Sequence, residues 1–267
     1  AAGKAYFFLP CPGSDGYRNG SNLATGTDNT GDSMELVYRG KTKDVYERDA
    51  HSLHLVFTDR VTKNDAGEID PGGNNLAEET VPGQGEACLL MTSAIFSEIN
   101  AKNIARTHMI SYDLPSLSMD VLKAKLFAPG LEWVTRWVCT GSFLRRYNMV
   151  PGVKDGMFLP SPVYEITLKD DAAGDPLIVP SALVALGIVD GAIMDEMLDR
   201  NAAVMDAVRA MFTARGLDLW DIKIEWGMDE QGRPMIIDEI SPGCCRAFKA
   251  GTRERVAGRE LAELFRS

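Results

Sequence analysis

Residues 221–227 read DIKIEWG, and residues 234–243 follow as PMIIDEISPG. In the first stretch Asp221, Lys223 and Glu225 alternate with Ile222, Ile224 and Trp226. Successive strand side chains point to opposite faces, so the three charges share one face and the three apolar residues the other. The second stretch is an apolar strand running into Asp238 and Glu239. Paired as a hairpin, the two strands turn an Ile-Ile-Trp face toward a core and leave the charges as the floor of a cleft. Two readings of that floor compete. Cross-strand ion pairs with Lys223 would contribute only about 0.2–1 kcal/mol. Alternatively, Glu225 and Asp238 face each other and hold one Mg2+, with water and phosphate oxygens completing the octahedron.

Working outward, MELVYRG (34–40) and DVYERD (44–49) flank the turn-like GKTK (40–43), and LHLVFTD (53–59) follows. This spacing predicts an antiparallel meander. ACLLMTSAIFSEINAK (87–102) has helical spacing and is expected to cross behind that sheet. Strand patterns return in ARTHMISYDL (105–114), LSMDVLKAKLF (117–127), LEWVTRWV (131–138) and VYEITLK (163–169). The longest helix is expected over 190–216, stopped by Gly216, and a short one around RELAELF (259–265). Strands and helices without βαβ regularity imply an α+β fold with largely antiparallel sheets. A boundary near Pro129-Gly130 would divide residues 34–128 from 129–267. Residues 1–33, rich in Gly, Asn, Ser and Thr, read as an extension, tag or linker.

The net charge of −10 argues against a general nucleic-acid binder, which needs a basic surface. Local lysine and arginine clusters can still take small anions. Five cysteines without CxxC spacing point to reduced thiols, and the three histidines lack zinc-ligand spacing around them. The longest apolar run, LIVPSALVALGIV (177–189), is interrupted by Pro180 and Gly187 and is too short for a bilayer. The expectation is a cytoplasmic protein with no membrane or nucleic-acid partner. Patterns for serine hydrolases, zinc peptidases, dinucleotide binding and protein kinases are missing from the chain.

Two further constellations carry anion chemistry. In RGKTKDVY (39–46), Lys41 and Lys43 lie on a turn whose backbone N–H groups suit a polyphosphate. In RWVCTGSFLRRY (136–147), Arg136 ends a strand and Ser142 opens a helix-like turn, an arrangement that can bind a phosphate monoester. Each also reads as a solvated basic surface, and RGKTKDVY taken alone favours that reading.

Taken in order, LVYRGKTKDVYE (36–47), TGSFLRRY (140–147), EITLKDDAAGDP (165–176), DIKIEWG (221–227) and IIDEISPGCCR (236–246) resemble the SAICAR synthetase family. GSFLRRY is similar to the form in its clostridial-type branch. The resemblance implies an N-terminal antiparallel-sheet ATP-binding domain, a larger α+β substrate and metal domain, and an ATP cleft between them. It implies an ATP- and Mg2+-dependent ligase of purine biosynthesis, joining L-aspartate to the carboxylate of CAIR (carboxyaminoimidazole ribonucleotide). Its small-molecule partners would be CAIR, aspartate and ATP, with a possible homo-oligomer. By the same resemblance, Lys41, Lys43, Lys125, Lys169 and Glu225 would serve ATP, and Glu225 and Asp238 the metal. Asp221 and Lys223 would face the reacting groups; Arg136, Ser142 and Arg246 would hold the ribonucleotide phosphate. Where the family has Ser-Pro-Asp, this chain has Ser241-Pro242-Gly243. That loss of a carboxylate leaves a paralogue amidating a related heterocyclic carboxylate as an alternative, beside a non-catalytic nucleotide-binding module.

Overall fold

The meander read at 34–59 grows into a six-stranded antiparallel sheet. In the computed structural model, residues 25–27, 33–63, 67, 69, 75–170 and 173–266 are described. Strands β1 (Thr25–Thr27), β2 (Ser33–Arg39), β3 (Lys43–Glu47) and β4 (Ser52–Phe57) pair in sequence. The short β5 (Arg60–Lys63) and β6 (Asn75–Thr80) form a separate ribbon, which the sequence pattern did not suggest. Helix α1 (Gln84–Ala101) then leads to β7 (Met109–Asp113) and β8 (Ser118–Leu122), which complete the order β1-β2-β3-β4-β8-β7. Of the segment read as an extension, only residues 25–27 and 33 are described; β1 pairs with the start of β2.

The second sheet is assembled around one long strand. It begins with β9 (Lys125–Leu126) and β10 (Leu131–Val138), followed by α2 (Gly141–Tyr147), β11 (Phe158–Leu168) and α3 (Pro180–Ala185). Helix α4 (Gly191–Thr213) precedes β12 (Leu217–Met228) and β13 (Pro234–Ile237). A 3-10 turn at Pro242–Cys244, β14 (Cys245–Lys249), β15 (Arg255–Val256) and α5 (Gly258–Glu263) follow. The order is β11-β10-β12-β14-β15, with β9 and β13 also paired to β12. Among the described residues every strand pair is antiparallel.

LSMDVLKAKLF, read as one strand, is divided between the sheets: β8 lies beside β4, whereas β9 lies beside β12. Between them Lys123 N–H still donates to His51 O beside β4, and the chain crosses to the second sheet after it. Helix α1 is buried on nearly every side, including Ala87, Leu89, Met91, Ile95, Phe96 and Ile99, which explains its apolar character all round. It packs against β4 and also against α4 and α5. Helix α4 starts where Asp190 accepts a hydrogen bond from Ala192 N–H at 2.9 Å, a side-chain cap. Its buried stripe of Met194, Met197, Val204, Val208 and Phe212 lies against β12. One buried cluster runs from Leu53, Leu55 and Phe96 to Trp133, Phe212 and Trp226, so the two sheets share a core.

Candidate functional site

Register makes the charged face of β12 into a site. Asp221 lies opposite Arg136, Lys223 opposite Val134, and Glu225 opposite Glu132. The other face does what its alternation implied: Ile222, Ile224 and Trp226 are each about 1% exposed. At the start of the charged face, Asp221 Oδ2 accepts from Arg136 Nη1 at 2.8 Å and from Arg246 Nη1 at 2.6 Å. Burial pushes the Asp221 carboxyl up, while the two guanidiniums pull against that rise. Arg136 is buried, with its remaining donors on Glu165 Oε2 (2.6 Å) and Ser142 Oγ (2.8 Å). Arg146 completes this group by donating to Glu165 Oε1 at 2.5 Å.

Arg246 belongs to β14, whose register places it directly across from Asp221. Its guanidinium crosses the first residue of α2, Gly141, which has φ 54°. A Cβ at Gly141 would collide with both terminal nitrogens of Arg246, so only glycine lets this arginine lie there. Arg136 and Asp221 thereby link Ser142 Oγ to the part-exposed Arg246, a set of donors whose charge-assisted hydrogen bonds suit a phosphate monoester.

Lysines and carboxylates alternate toward the other end. Lys223 Nζ donates to Glu132 Oε1 (2.9 Å) and to Glu225 Oε1 (3.2 Å), and Lys169 Nζ donates to the same Glu225 oxygen (2.8 Å). Burial disfavours the charge on Glu132, but Lys223 outweighs it and holds the carboxyl below its ordinary range. Burial also opposes the charge on Lys223; Glu225 and Glu132 more than reverse it and raise its pKa well above normal. The ion pairs set against a metal in the sequence reading therefore exist, and they occupy the same face as the proposed ligands.

Beyond β13, Asp238 and Glu239 converge on a buried lysine. Lys43 Nζ lies 2.5 Å from Asp238 Oδ1 and 2.7 Å from Glu239 Oε2. Glu239 also accepts from Thr42 Oγ1 at 3.0 Å and from Ser241 Oγ at 2.9 Å. The turn of the first sheet is thus tied to the end of β13 in the second. Burial raises the cost of ionising Asp238, but Lys43 first, then Lys169 and Lys223, hold its carboxyl far below the ordinary range. Asp238 has φ 65°, a left-handed backbone that costs a non-glycine residue roughly 1–2 kcal/mol.

The structure brings together most of the residues singled out from the sequence: Lys43, Lys169, Lys223, Glu225 and Asp238 in the lysine-rich half, and Arg136, Ser142, Asp221 and Arg246 in the other. Lys41 is exposed on the turn before Lys43. Lys125, exposed on β9, lies opposite Met228, three residues past Glu225. Glu132, Glu165 and Thr42 were not picked out by sequence reasoning; their roles depend on register and turn geometry, which residue spacing does not reveal. Glu239 was visible as a charge but not as a partner of Lys43. Among the described residues no three His, Cys, Asp or Glu side chains form a metal cage. Glu225 and Asp238 do offer hard carboxylate oxygens, and both lie within the field of the same lysines. Such a set suits Mg2+, which takes one or two carboxylates together with substrate phosphates.

The model of the SAICAR synthetase family matches residues 36–264. The chain is 39% identical over 219 residues to the phosphoribosylaminoimidazole-succinocarboxamide synthase of Clostridium tetani, covering 82% of this chain and 94% of that protein. It is 32% identical to the same enzyme of Finegoldia magna, covering 84% and 89%. A solved SAICAR synthetase superposes with a TM-score of 0.68 at 31% identity, over 81% of this chain and 87% of that one. Another, in complex with ADP, gives 0.72 at 26% identity, over 85% and 93%.

Proposed function

The chain belongs to the SAICAR synthetase family, and we propose that it joins L-aspartate to CAIR at the expense of ATP along the charged face of β12. The products are SAICAR, ADP and phosphate. The observation that carries the assignment of residues is the polarity of that face: lysines and carboxylates at one end, arginines and a serine at the other, with Lys223 between them.

A carboxylate is a poor acylating agent because its leaving group would be oxide. In the proposed reaction a CAIR carboxylate oxygen attacks the γ-phosphorus of ATP and ADP departs, leaving an acyl phosphate. The amine of aspartate then attacks the acyl carbon, phosphate leaves, and the nitrogen loses a proton. Lys43 and Lys169 are proposed to balance the charge of the phosphates, with Lys41 at the turn and Lys125 on the adenine side. Lys223 and Asp221 would face the reacting carboxylate and the aspartate. Arg246 and Ser142, braced by Arg136, would hold the phosphate of the ribonucleotide. Glu225 and Asp238 would hold Mg2+, which when bound supplies charge neutralisation to the transferring phosphoryl group. In this reading residues 34–128 form the ATP-binding part and 129–267 the substrate and metal part.

The test is an assay that couples ADP release to a readable signal, with ATP, CAIR and aspartate omitted in turn. ADP should form only with all three present. Absence of turnover with the complete set rejects the reading, and turnover with another carboxylated azole but not CAIR would move the substrate to the alternative that Gly243 suggested.

A further inference from the structure

Strand β13 ends at Ile237, and the two residues after it break the alternation that a strand imposes. In extended backbone the side chains of 238 and 239 would point to opposite faces. Instead both carboxylates reach one ammonium group, Lys43 Nζ, at 2.5 and 2.7 Å. The left-handed backbone of Asp238, φ 65°, accompanies that convergence. A non-glycine residue persists in this conformation when its surroundings over-determine it.

The surroundings here include a histidine that the sequence reading passed over inside a strand pattern. His108 Nε2 lies 3.0 Å from the backbone oxygen of Asp238, and because a carbonyl can only accept, Nε2 is the donor. The ring is fully buried and meets Phe96 edge-on at 5.7 Å between centroids. The backbone N–H of His108 donates to Ile236 O at 2.9 Å, and its backbone carbonyl accepts from Leu122 N–H at 2.8 Å. Leu122 closes β8 of the first sheet and Ile236 lies in β13 of the second. His108 is therefore pinned between the sheets and directed at a residue whose backbone is left-handed.

We infer that His108 is a positioning residue: its hydrogen bond to the Asp238 carbonyl locks the left-handed turn that aims Asp238 and Glu239 together at Lys43, and so sets the geometry of the phosphate and metal end of the site. The inference rests on the proposed roles of Lys43 and Asp238. It predicts that removing the donor, with the ring volume kept, misaligns those groups while leaving the ribonucleotide end unaffected.

The test compares His108→Phe, which keeps a ring without a donor, with His108→Gln, whose amide places an N–H at similar reach. ADP binding is measured by calorimetry with and without Mg2+, beside kcat and the KM for CAIR. In His108→Phe the Mg2+-dependent ADP affinity and kcat should each fall by about tenfold or more, the loss of one buried hydrogen-bond partner. The KM for CAIR should stay within about twofold. His108→Gln should recover most of both losses. If His108→Phe does not fold, His108→Met carries the same comparison. A folded variant without the donor that binds MgADP as the wild type does, or a folded His108→Gln no better than it, overturns the inference. Failure of the wild-type protein itself to bind MgADP would instead overturn the functional reading beneath it.

Discussion

Asp238 carries two separable properties, a charge and a left-handed backbone. Asparagine tolerates that backbone better than most residues, so Asp238→Asn removes the charge and spares the conformation. It should lower kcat by about a hundredfold, an electrostatic loss of roughly 2.7 kcal/mol, and lower the melting temperature, because Lys43 loses one of its two carboxylates. Asp238→Ala should lose activity as well and be less stable than Asp238→Asn by roughly 1–2 kcal/mol, the left-handed penalty. Equal stability of the two variants in a denaturant titration would show that the strain is not borne at this residue. At the opposite end, Arg246→Ala removes a charged donor worth about 1.5–3 kcal/mol. The KM for CAIR should rise by roughly 10- to 150-fold while the KM for ATP holds. A parallel rise in both would contradict the division of the β12 face. The thiol of Cys244 supplies a third check at this scale. Burial first, then Glu239, pushes it up to about 11. Its thiolate is scarce at pH 8, so iodoacetamide labelling, followed by peptide mass spectrometry, should be roughly a hundredfold slower than for an ordinary thiol and should accelerate up to about pH 11. The residue types at these positions were readable from the chain because alternation exposes which charges share a face. Which partner each charge takes was not, since Glu132, Glu165 and His108 reach the site only through pairings between distant strands.

Among the elements, β12 was the most legible, because a period of two over DIKIEW has few other solutions. Helix α4 was nearly as clear: expected over 190–216, it spans Gly191–Thr213, and Gly216, with φ 72°, turns the chain into β12. By contrast, β8 and β9 could not be told apart in LSMDVLKAKLF, because an unbroken run of strand pattern does not say which sheet will accept each piece. Close approaches between elements were equally hidden, and two glycines test them. Gly85 lies in the first turn of α1 against the end of β4, where an added Cβ would lie 3.0 Å from both Phe57 C and Thr58 N. Gly227 ends the DIKIEWG stretch, and its added Cβ would lie 3.1 Å from Ile237 Cδ1 and 3.2 Å from Ala124 Cβ. Replacing a helical glycine by alanine ordinarily gains about 0.5–1 kcal/mol. At Gly85 the obstacle is backbone that cannot step aside, so overpacking of about 1–3 kcal/mol wins. At Gly227 the first atom met is the end of an isoleucine side chain, which can rotate. Urea titrations should therefore rank Gly85→Ala below Gly227→Ala in stability, and the reverse order would mean that α1 can shift away from β4.

At the scale of the molecule, the charged face of β12 is reached from both sheets while the core beneath them is continuous. The antiparallel α+β architecture followed from strand and helix order, but the sharing of one core did not, because a cluster joining Leu53 to Trp226 has no local signature. The tie of Lys43 and Thr42 to Glu239 adds polar contacts between the same two parts. Two consequences can be measured together. Heating should produce a single calorimetric transition, its van't Hoff and calorimetric enthalpies agreeing, although the sequence suggested a division near residue 129. Saturating MgADP, at about 100 times its dissociation constant, should add roughly 2.7 kcal/mol to folding. For a chain of this length that amounts to about 5 °C in the melting temperature. Because the proposed nucleotide groups come from both sheets, that whole single transition should move. If the parts before and after residue 129 were held together only loosely, two transitions would appear and the ligand would shift them unequally. The lysine and glutamate variants sharpen the comparison. Lys43→Met removes the only ammonium shared by Asp238 and Glu239 among the described ion pairs, leaving the buried Glu239 and the part-buried Asp238 without it. The unliganded protein should then melt lower and the shift with MgADP should shrink. Glu225→Gln leaves that tie between the sheets intact, so it should reduce the ligand shift with a smaller effect on the unliganded melting temperature.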